Sequence, residues 1–535
     1  MRFRHMITAL CGVSTCITGV TRVEAQQPDK LPQIYTMTPT GVNLQSGTFM
    51  RSKTDLTISS LSFVRSWEAQ SPDPHKTLSA NWTHNFLLGA KVEGNNGMTV
   101  FADGKTYQFR VNPQGVWQPW NIDQFNNNGM GAELTGTING PLTFRNQSGD
   151  VHTINASRRT TRIDLADGTR VDLGYDSSNR LRTVISNRGD AIVLDYNTGG
   201  NLQTACGYNI ADAYVGAATT CAASSLKVSY AYSAATNPLL TSVTDLSGTT
   251  TSFRYEGNSL TCITVPGTQT CEVTNFYGPQ GDESPVLTLP NQVRRQVMAT
   301  GEQWTFFYLN QNLNEMPRQP GQVYHSSAEA TDPMGNTISA EYENGQVKRL
   351  YTPDGGFYEW NGLYLKSFTT FGGKKQVLGY DRRGNVLTSR RVGPGEADIT
   401  SATGYPDDNS GFLPTGCSAT SQKLCNKPMY RIAPNGLVGT NVSIENNPYR
   451  TDYTYAPEHG MVLSETGPAV NGVRPQKRYR YEQRYAGIRN SAGAIVQAAS
   501  PVWLLVEEAM CKTGAAPACV GTADEVRTLY EYGAS

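Results

Sequence analysis

A chain of 535 residues is too long for one ordinary core, so it must form several domains or one extended repeat structure. Its 45 basic and 45 acidic residues balance, and charged residues make up only 17% of it, which gives no argument for a nucleic-acid partner or an acidic substrate. The 52 glycines and 27 tyrosines favour turn-rich β-structure, in which tyrosine lies on a half-buried strand with its hydroxyl in water.

The first 25 residues have the features of an export signal. Arg2 and Arg4 precede a short, mostly apolar run at 6–20, and Val23 and Ala25 are small residues at the two positions that a signal peptidase reads. The run is shorter than the roughly 20 apolar residues of a membrane anchor. We therefore predict cleavage after Ala25, a periplasmic, cell-surface or secreted location, and no membrane span in the mature chain.

Three segments follow the signal. Residues 26–40 are polar and contain proline, which predicts a linker. Residues 41–160 contain alternating runs such as Leu61–Trp67 and predict a small β-rich domain. Residues 161–535 carry a repeated pattern and are predicted to form an array of hairpins that is incomplete at residue 535.

The repeated pattern is clearest at residues 377–392, where a strand ending in Tyr380 meets a turn that begins with Asp381 and contains Gly384. Glycine takes positive φ without strain, so a second strand begins at once. Looser copies recur about every 20 residues, which is the length of one hairpin with its turns. The repeat positions are Tyr175, Asp176, Tyr196, Tyr232, Tyr255, Tyr342, Tyr380, Asp381 and Gly384.

These hairpins predict an all-β fold. A lone hairpin is marginal in water, so each must pair with its neighbours, and strand twist makes the growing sheet coil. The expected architecture is a coiled antiparallel β-sheet, a spiral or open shell, preceded by the small β-rich domain. Residues 278–290 and 393–448 lack the pattern and are predicted to be loops or insertions.

The cysteines agree with export. Two leave with the signal, and the other eight fall as near neighbours 8 to 15 residues apart, which makes local pairing economical although eight cysteines allow 105 connectivities. The candidate pairs are Cys206 and Cys221, Cys262 and Cys271, Cys417 and Cys425, and Cys511 and Cys519. Their spacing does not resemble a zinc site, and we predict no metal and no cofactor.

Together, the Tyr-Asp pairs at 175–176 and 380–381 and the segment Gly41–Phe109 resemble the RHS/YD-repeat family of secreted bacterial proteins. The resemblance implies repeats that wind into a hollow shell, which often encloses a C-terminal toxin or displays surfaces for adhesion. The later Pro- and Gly-rich core segment and the toxin tail of that pattern are not found here, so toxin and self-cleavage activities are not carried over. The expectation is a truncated reading frame or a shell completed by another chain.

Catalytic motifs have little support, and we predict that the chain is not an enzyme. Asp103, Asp167 and Asp354 precede glycine, where turn chemistry explains them. The basic, aromatic window 474–485 alternates as a strand does rather than marking nucleic-acid binding. The acidic stretch 407–409 lacks the spacing of a calcium-binding EF-hand loop.

The leading functional hypothesis is an exported scaffold that forms part of a β-shell or cell-surface interaction protein, such as the carrier portion of an RHS-type toxin system. Its partners would be a downstream shell or toxin polypeptide, or cell-surface glycans. One alternative is a carbohydrate-binding surface protein that uses stripes of tyrosine and tryptophan. A second alternative is a secreted glycan-active enzyme.

Overall fold

The computed structural model describes most of the chain after the leader. The described residues are 36–67, 77–119, 132–278, 290–310, 325–343, 346–362, 364–381, 383–395, 399–406, 422–437, 447–513 and 519–532. Within them the chain forms 40 strands and two short 3₁₀ turns. The export signal, Cys417 and residues 407–409 lie outside the described residues, as does most of the predicted linker.

Nine strands come before residue 120 and form three small antiparallel sheets, β1–β2, β3–β5 and β6–β9. These strands are β1 Val42–Asn43, β2 Thr48–Phe49, β3 Arg51–Ile58, β4 Leu61–Trp67, β5 Trp82–His84, β6 Gly89–Glu93, β7 Gly97–Ala102, β8 Lys105–Val111 and β9 Trp117–Pro119. We call β1 to β5 the N-terminal unit.

The rest of the chain forms one 29-stranded antiparallel sheet and a separate ribbon of β37 and β38. The first strands are β10 Glu133–Gly136, β11 Leu142–Arg145, β12 Val151–Ile154, β13 Thr160–Asp164, β14 Arg170–Tyr175, β15 Leu181–Ser186, β16 Asp190–Tyr196, β17 Leu202–Asn209, β18 Leu226–Tyr232, β19 Leu240–Thr244, β20 Thr250–Glu256, β21 Ser259–Thr264, β22 Val273–Tyr277, β23 Val293–Met298 and β24 Gln303–Asn310. The next are β25 His325–Thr331, β26 Thr337–Glu343, β27 Gln346–Tyr351, β28 Phe357–Asn361, β29 Tyr364–Thr369, β30 Lys375–Tyr380, β31 Val386–Val392 and β32 Ile399–Gly404. The last are β33 Tyr430–Leu437, β34 Arg450–Tyr455, β35 Val462–Thr466, β36 Gln476–Arg484, β37 Gly487–Arg489, β38 Ile495–Gln497, β39 Val502–Cys511 and β40 Glu525–Leu529.

Strand order in the large sheet follows the sequence, because each strand pairs with the next through a short turn. The order runs from β10 to β36 without a crossover and then continues to β39 and β40. The predicted fold class, an all-β coiled sheet of repeated hairpins, is therefore confirmed. The sheet begins at Glu133, within the segment 41–160 that was predicted to precede the repeats.

One sequence prediction is wrong. Residues 393–448 were expected to be loops or insertions, but they contain β32 and β33, which pair with each other and with the strands on either side. The segment Ile399–Gly404 lacks both an aromatic residue and an apolar alternation. Backbone hydrogen bonds to its neighbours make it a strand, and that contribution does not depend on side-chain pattern.

The main hydrophobic core lies between the N-terminal unit and one face of the large sheet, which we call the inner face. Phe63, Trp67 and Trp82 of the unit are at most 2% exposed. They belong to one cluster with buried sheet residues that begin at Val171 and end at Val347. A second cluster joins β7–β9 to β10–β12. The chain thus fills the concave side of its own sheet with its first strands.

Candidate functional site: the inner face and the seam

The motif tyrosines lie at the ends of strands, each at a β-bulge. Tyr196, for example, pairs with Leu202, whereas the preceding Asp195 pairs with Thr204, so the next strand carries one extra residue. Six repeat positions share this register shift. They are Tyr175, Tyr196, Tyr232, Tyr255, Tyr342 and Tyr380. All end an even-numbered strand, so they occupy one rim of the sheet.

The tyrosine hydroxyls connect neighbouring hairpins. The Tyr196 hydroxyl donates to the Leu181 carbonyl at 2.6 Å, and Leu181 is the strand partner of Tyr175. The Tyr232 hydroxyl in turn donates to the carbonyl of Leu202, the partner of Tyr196, at 2.8 Å. The expectation that these hydroxyls lie in water is wrong at these positions, because a bulge disrupts the ladder and its carbonyls need other donors.

Burial accompanies these bonds and raises the pKa of Tyr175 to about 12. The hydroxyls therefore stay protonated at neutral pH. Three further tyrosines donate to carbonyls in the same way, at 2.6 to 2.9 Å. They are Tyr255, Tyr308 and Tyr380. The tyrosine period seen in the sequence thus marks a chain of side-chain fasteners along one rim.

Tyr255 allows a direct test of this role. Its hydroxyl donates to the Leu240 carbonyl at 2.6 Å and accepts the indole N–H of Trp82 at 2.8 Å. Changing Tyr255 to Phe leaves both groups without that partner, and we expect a loss of about 2 kcal/mol of local stability. Hydrogen exchange of β19 and β5 measures it. Changing the exposed Tyr485 to Phe is the control and should leave exchange unaltered.

The turn that follows a motif tyrosine is built by its aspartate. An Asp381 carboxylate oxygen accepts the backbone N–H groups of Arg383 and Asn385 at 2.9 and 2.8 Å. Gly384 has φ of +82°, and a Cβ there would lie 2.7 Å from the ring of Tyr364. Both the backbone conformation and the close approach therefore require glycine. Asp176 accepts two backbone N–H groups in the same way.

A buried ion pair attaches the N-terminal unit to the inner face. Arg65 and Asp55 are 2.9 Å apart, with side chains only 4% and 3% exposed. The Tyr230 hydroxyl of β18 donates to the same carboxylate at 3.0 Å, and burial raises the pKa of that hydroxyl well above its usual value. The guanidinium lies 4.5 Å from the centre of the Trp82 ring. These contacts join strands that are far apart in sequence.

Beyond β28 the inner face changes character. The register carries it from Phe368 to Gln376 and then to Arg391. Farther along, Tyr453 pairs with Glu465 and Tyr479 pairs with Glu508. We call this stretch the polar-aromatic wall. Its residues are Gln376, Tyr380, Arg391, Tyr453, Glu465, Lys477, Tyr479, Tyr481 and Glu508.

The wall differs from the apolar half of the inner face in exposure as well as in composition. All of its residues are half-buried or exposed, and none belongs to the core clusters found among the described residues. Burial, with the nearby Glu465 and Glu508 carboxylates, raises the pKa of Tyr479 to about 12. The wall is therefore an accessible surface on which aromatic rings alternate with charges of both signs.

The coiled sheet returns to contact itself along a line that we call the seam. Turns on the rim opposite the motif tyrosines meet turns of the tyrosine rim more than 200 residues later. Gln147 donates to the Arg383 carbonyl and to the Asn385 side chain, both at 3.2 Å, and Asn426 donates to the Gln147 carbonyl at 2.9 Å. Trp503 N–H donates to the Asp167 carbonyl at 2.8 Å.

Arg383 is the most enclosed charge at the seam, with its side chain 1% exposed. Its guanidinium donates to the Cys425 carbonyl, to the Pro406 carbonyl at 3.2 Å and to Asp381 at 3.3 Å. A buried charge is tolerated only when it is paired and hydrogen-bonded, and this arrangement supplies both. The turn of the clearest sequence repeat is thus also a joint between two windings.

His459 lies at the seam between the rings of Tyr481 and Trp503, with ring centres 5.1 and 4.6 Å away. Its Nδ1 accepts the Met461 N–H at 3.2 Å. Burial lowers the pKa of His459; Lys423 acts in the same direction, whereas Glu458 and Asp167 oppose the shift. The folded chain therefore holds this imidazole neutral at a pH where the unfolded chain binds a proton.

The seam should consequently loosen in acid. Below a pH of about 6.5 the unfolded state binds more protons than the folded state at this group, so its contribution to stability falls as pH falls. We expect hydrogen exchange around residues 458–461, corrected for intrinsic rates, to show weaker protection at pH 5 than at pH 7.5. The variant His459→Asn should lose most of this difference. An unchanged difference in that variant would assign the effect to other groups.

A second buried cluster surrounds His152, which is 1% exposed. Its Nε2 lies 3.5 Å from Asp103, and its ring packs at 5.6 Å from that of Phe144. Burial raises the pKa of the neighbouring Asp150, although hydrogen bonds from Asn146 and Ala166 oppose the shift. A histidine beside two carboxylates is a catalytic type of grouping, but substrate has no access to a ring so fully enclosed.

The structure forms three disulfides between near neighbours. They are Cys206–Cys221, Cys262–Cys271 and Cys511–Cys519, with Cα atoms 5.4 to 5.7 Å apart. Cys425 is also disulfide-bonded. Asp524 lies close to Cys511 and Cys519, but two sulfurs joined to each other are not thiolate ligands, so this group does not fit a metal.

Mass spectrometry of the non-reduced protein should recover these three bridges. Removal of the buried 15-residue bridge by the double change of Cys206 and Cys221 to Ala should cost about 3 kcal/mol, since the closed loop is the longest of the three. The same change at Cys511 and Cys519 is the comparison and should cost less. Longer-range links in the mass spectra would contradict the pairing.

The structure brings some predicted residues together and separates others. The six motif tyrosines share a rim, whereas the cysteine pairs lie at scattered loops. The sequence did not identify Asp55, Arg65 or Gln147, because their partners are more than 100 residues away or on another winding. The only available signal was an Asp and an Arg in otherwise alternating strands. The described part of the chain has no helix suited to crossing a membrane.

The fold and site define a class, a coiled β-hairpin scaffold that contacts itself along a seam. Comparison with known proteins adds no family: no family model matches the sequence, and no curated protein does so either. Among solved structures, "TcdB2-TccC3" is 12% identical, with 89% of this chain and 28% of that chain covered and a TM-score of 0.36. "TcdB2-TccC3-Cdc42" is 13% identical, with 78% and 25% covered and a TM-score of 0.34.

A "porin-like protein from Bacteroides uniformis" is 12% identical, with 50% of this chain and 91% of that chain covered and a TM-score of 0.19. The present chain spans only about a quarter of the length of the first two chains. Resemblance at this level does not place the chain in a family. The resemblance to RHS/YD-repeat proteins stays a prediction, while the coiled β-sheet that it implied is the fold observed.

Proposed function

We propose that this protein is an exported, non-enzymatic scaffold whose coiled sheet holds a second polypeptide against the polar-aromatic wall. The change along the inner face carries the proposal. From β14 to β27 that face is apolar and covered by the N-terminal unit, and beyond β28 it is half-exposed and lined by tyrosines and charges. A surface of that composition suits reversible contact with a chain rather than permanent packing.

Three features support the scaffold role. One sheet of 29 strands provides a continuous surface, and the seam holds two windings of it together. The bridges Cys206–Cys221, Cys262–Cys271 and Cys511–Cys519 suit an oxidising compartment, in keeping with an export signal in residues 1–25. The partner expected from the family resemblance, a shell or toxin polypeptide, belongs to the same proposal.

The wall suits an extended or loosely folded polypeptide. Tyrosine offers a large, rigid contact area with a polar end, at a low cost in conformational entropy. The charges Arg391, Lys477, Glu465 and Glu508 provide complementary pairing for side chains of either sign. In contrast, the motif tyrosines of the apolar half are engaged in bulges and core packing, which leaves less of them to bind a ligand.

Binding of a fluorescent, permanently unfolded polypeptide, such as a small protein that has been reduced and carboxymethylated, tests the proposal. We expect the mature chain to bind it saturably and Tyr479→Ala to weaken binding at least about 5-fold. Arg480→Ala is the control, because Arg480 is the next residue on the same strand and is exposed on the opposite face. No binding, or equal losses in both variants, would refute a carrier role for the wall.

A further inference from the structure

A cavity of about 280 Å³ lies where the N-terminal unit meets the large sheet. Phe49 and Trp67 of the unit line it on one side, and Tyr277, at the end of β22, lines it on the other. These rings belong to the hydrophobic core or pack against it, so the folded scaffold fixes their positions. The cavity is formed by packing of the two parts and exists only in the assembled fold.

Polar groups complete the lining, and all of them are uncharged. They are the side chains of Asn81, Asn258 and Asn291 together with Ser259. Asn81 donates to the Asn258 carbonyl at 3.3 Å, which ties the unit to the turn between β20 and β21. The side-chain amides of Asn258 and Asn291 make no hydrogen bond to the described residues. Each amide offers two donors and an acceptor of two hydrogen bonds.

The lining selects among ligand classes by chemistry. None of the lining residues is acidic or basic, so an ionic ligand would lose its hydration without gaining a counter-charge, which is costly. A wholly apolar ligand would leave the amides and the hydroxyl unpaired, which also costs free energy. A ligand with apolar C–H faces and several neighbouring hydroxyls satisfies both halves of the lining. Its size must be small, since the cavity lies at the low end of ligand sites.

We propose that this cavity binds one or two rings of a neutral saccharide, with the amides on its hydroxyls and the aromatic rings on its C–H faces. Phe49 and Trp67 form the apolar floor, and Asn258 and Asn291 supply the hydrogen bonds at the opening. The site is separate from the polar-aromatic wall, and it does not depend on a polypeptide partner. Sugar recognition would therefore accompany the scaffold role rather than replace it.

Titration calorimetry of the mature protein tests the proposal with neutral probes, namely maltotriose, mannotriose, a galactose disaccharide and N-acetylchitobiose, and with sialyllactose as the charged probe. We expect at least one neutral probe to bind with a millimolar or lower dissociation constant, and sialyllactose to bind more weakly. Asn258→Ala and Asn291→Ala should each weaken that binding about 5- to 10-fold, as loss of one or two hydrogen bonds predicts.

Asn139→Ala is the matched control, because Asn139 is an exposed turn residue of the β10–β11 hairpin, and it should bind as the unaltered protein does. Circular dichroism of all variants confirms that the fold is intact. The proposal is overturned if no neutral probe binds at 10-fold above millimolar concentration. It is equally overturned if binding survives Asn258→Ala and Asn291→Ala but is lost in Tyr479→Ala, since the sugar would then occupy the wall.

Discussion

Replacing Arg65 with methionine should release the N-terminal unit from the inner face. The change removes one member of a buried ion pair and leaves the Asp55 carboxylate, 3% exposed, with only the Tyr230 hydroxyl beside it. An uncompensated buried charge costs about 3–5 kcal/mol. The aromatic contacts of the guanidinium with Trp82 and Phe253 are lost as well. Methionine keeps most of the side-chain length, so the effect reports charge rather than a cavity.

A matched variant exists in the same unit. Arg51 also forms an ion pair with the sheet, 2.7 Å from Glu272, but the two side chains are 48% and 33% exposed. An exposed pair contributes at most about 1 kcal/mol, so Arg51→Met should change little. A repeat sheet of this size need not unfold in one step, so local hydrogen exchange of β3–β5 is the proper measurement. Equal protection in both variants would show that the buried pair does not anchor the unit.

Local structure was predictable from the sequence because it depends on near neighbours. Alternation of apolar residues placed β4, and the Asp381-to-Gly384 turn followed from the geometry that glycine permits. The tyrosine period gave the hairpin length for the same reason. The role of the hydroxyl was missed, since a carbonyl freed by a bulge cannot be identified before the register is known.

The site itself was less predictable because its contacts join distant parts of the chain. Leu61, Phe63 and Trp67 alternate as a strand should, yet nothing in that alternation indicates that they pack on a sheet that begins after residue 130. The cavity beside Trp67 has the same origin, since its lining comes from four separate strand ends or turns. Register and coil must be known before such groups can be placed together.

The seam shows this limit most directly. The turns 332–336 and 381–385 both read Asp-x-x-Gly-Asn, and both aspartates accept the same two backbone N–H groups. The first turn is largely exposed to solvent, with Met334 86% exposed, whereas Arg383 at the matching position is 1% exposed. The sequence pattern is identical, and only the winding of the sheet separates a free turn from a joint.

Arg383→Met should therefore open the seam, even though methionine is what the exposed turn carries at that position. The change leaves the Cys425 and Pro406 carbonyls without this donor and leaves Asp381 without its cation in a buried site. We expect a local loss of about 3–5 kcal/mol. Hydrogen exchange should rise on both sides of the joint, in the turn around Gln147 and around Cys425.

A pair of asparagine variants separates the seam from the turn itself. Asn385 donates to Asp381 at 2.8 Å and to Asn426 at 2.9 Å and accepts from Gln147, whereas Asn336 donates only to Asp332 at 2.8 Å. Asn385→Ala should cost about 2–3 kcal/mol, and Asn336→Ala less than about 1 kcal/mol, because only the first leaves buried groups unpaired. If the two losses were equal, turn chemistry alone would account for them and the two windings would not be joined at Arg383.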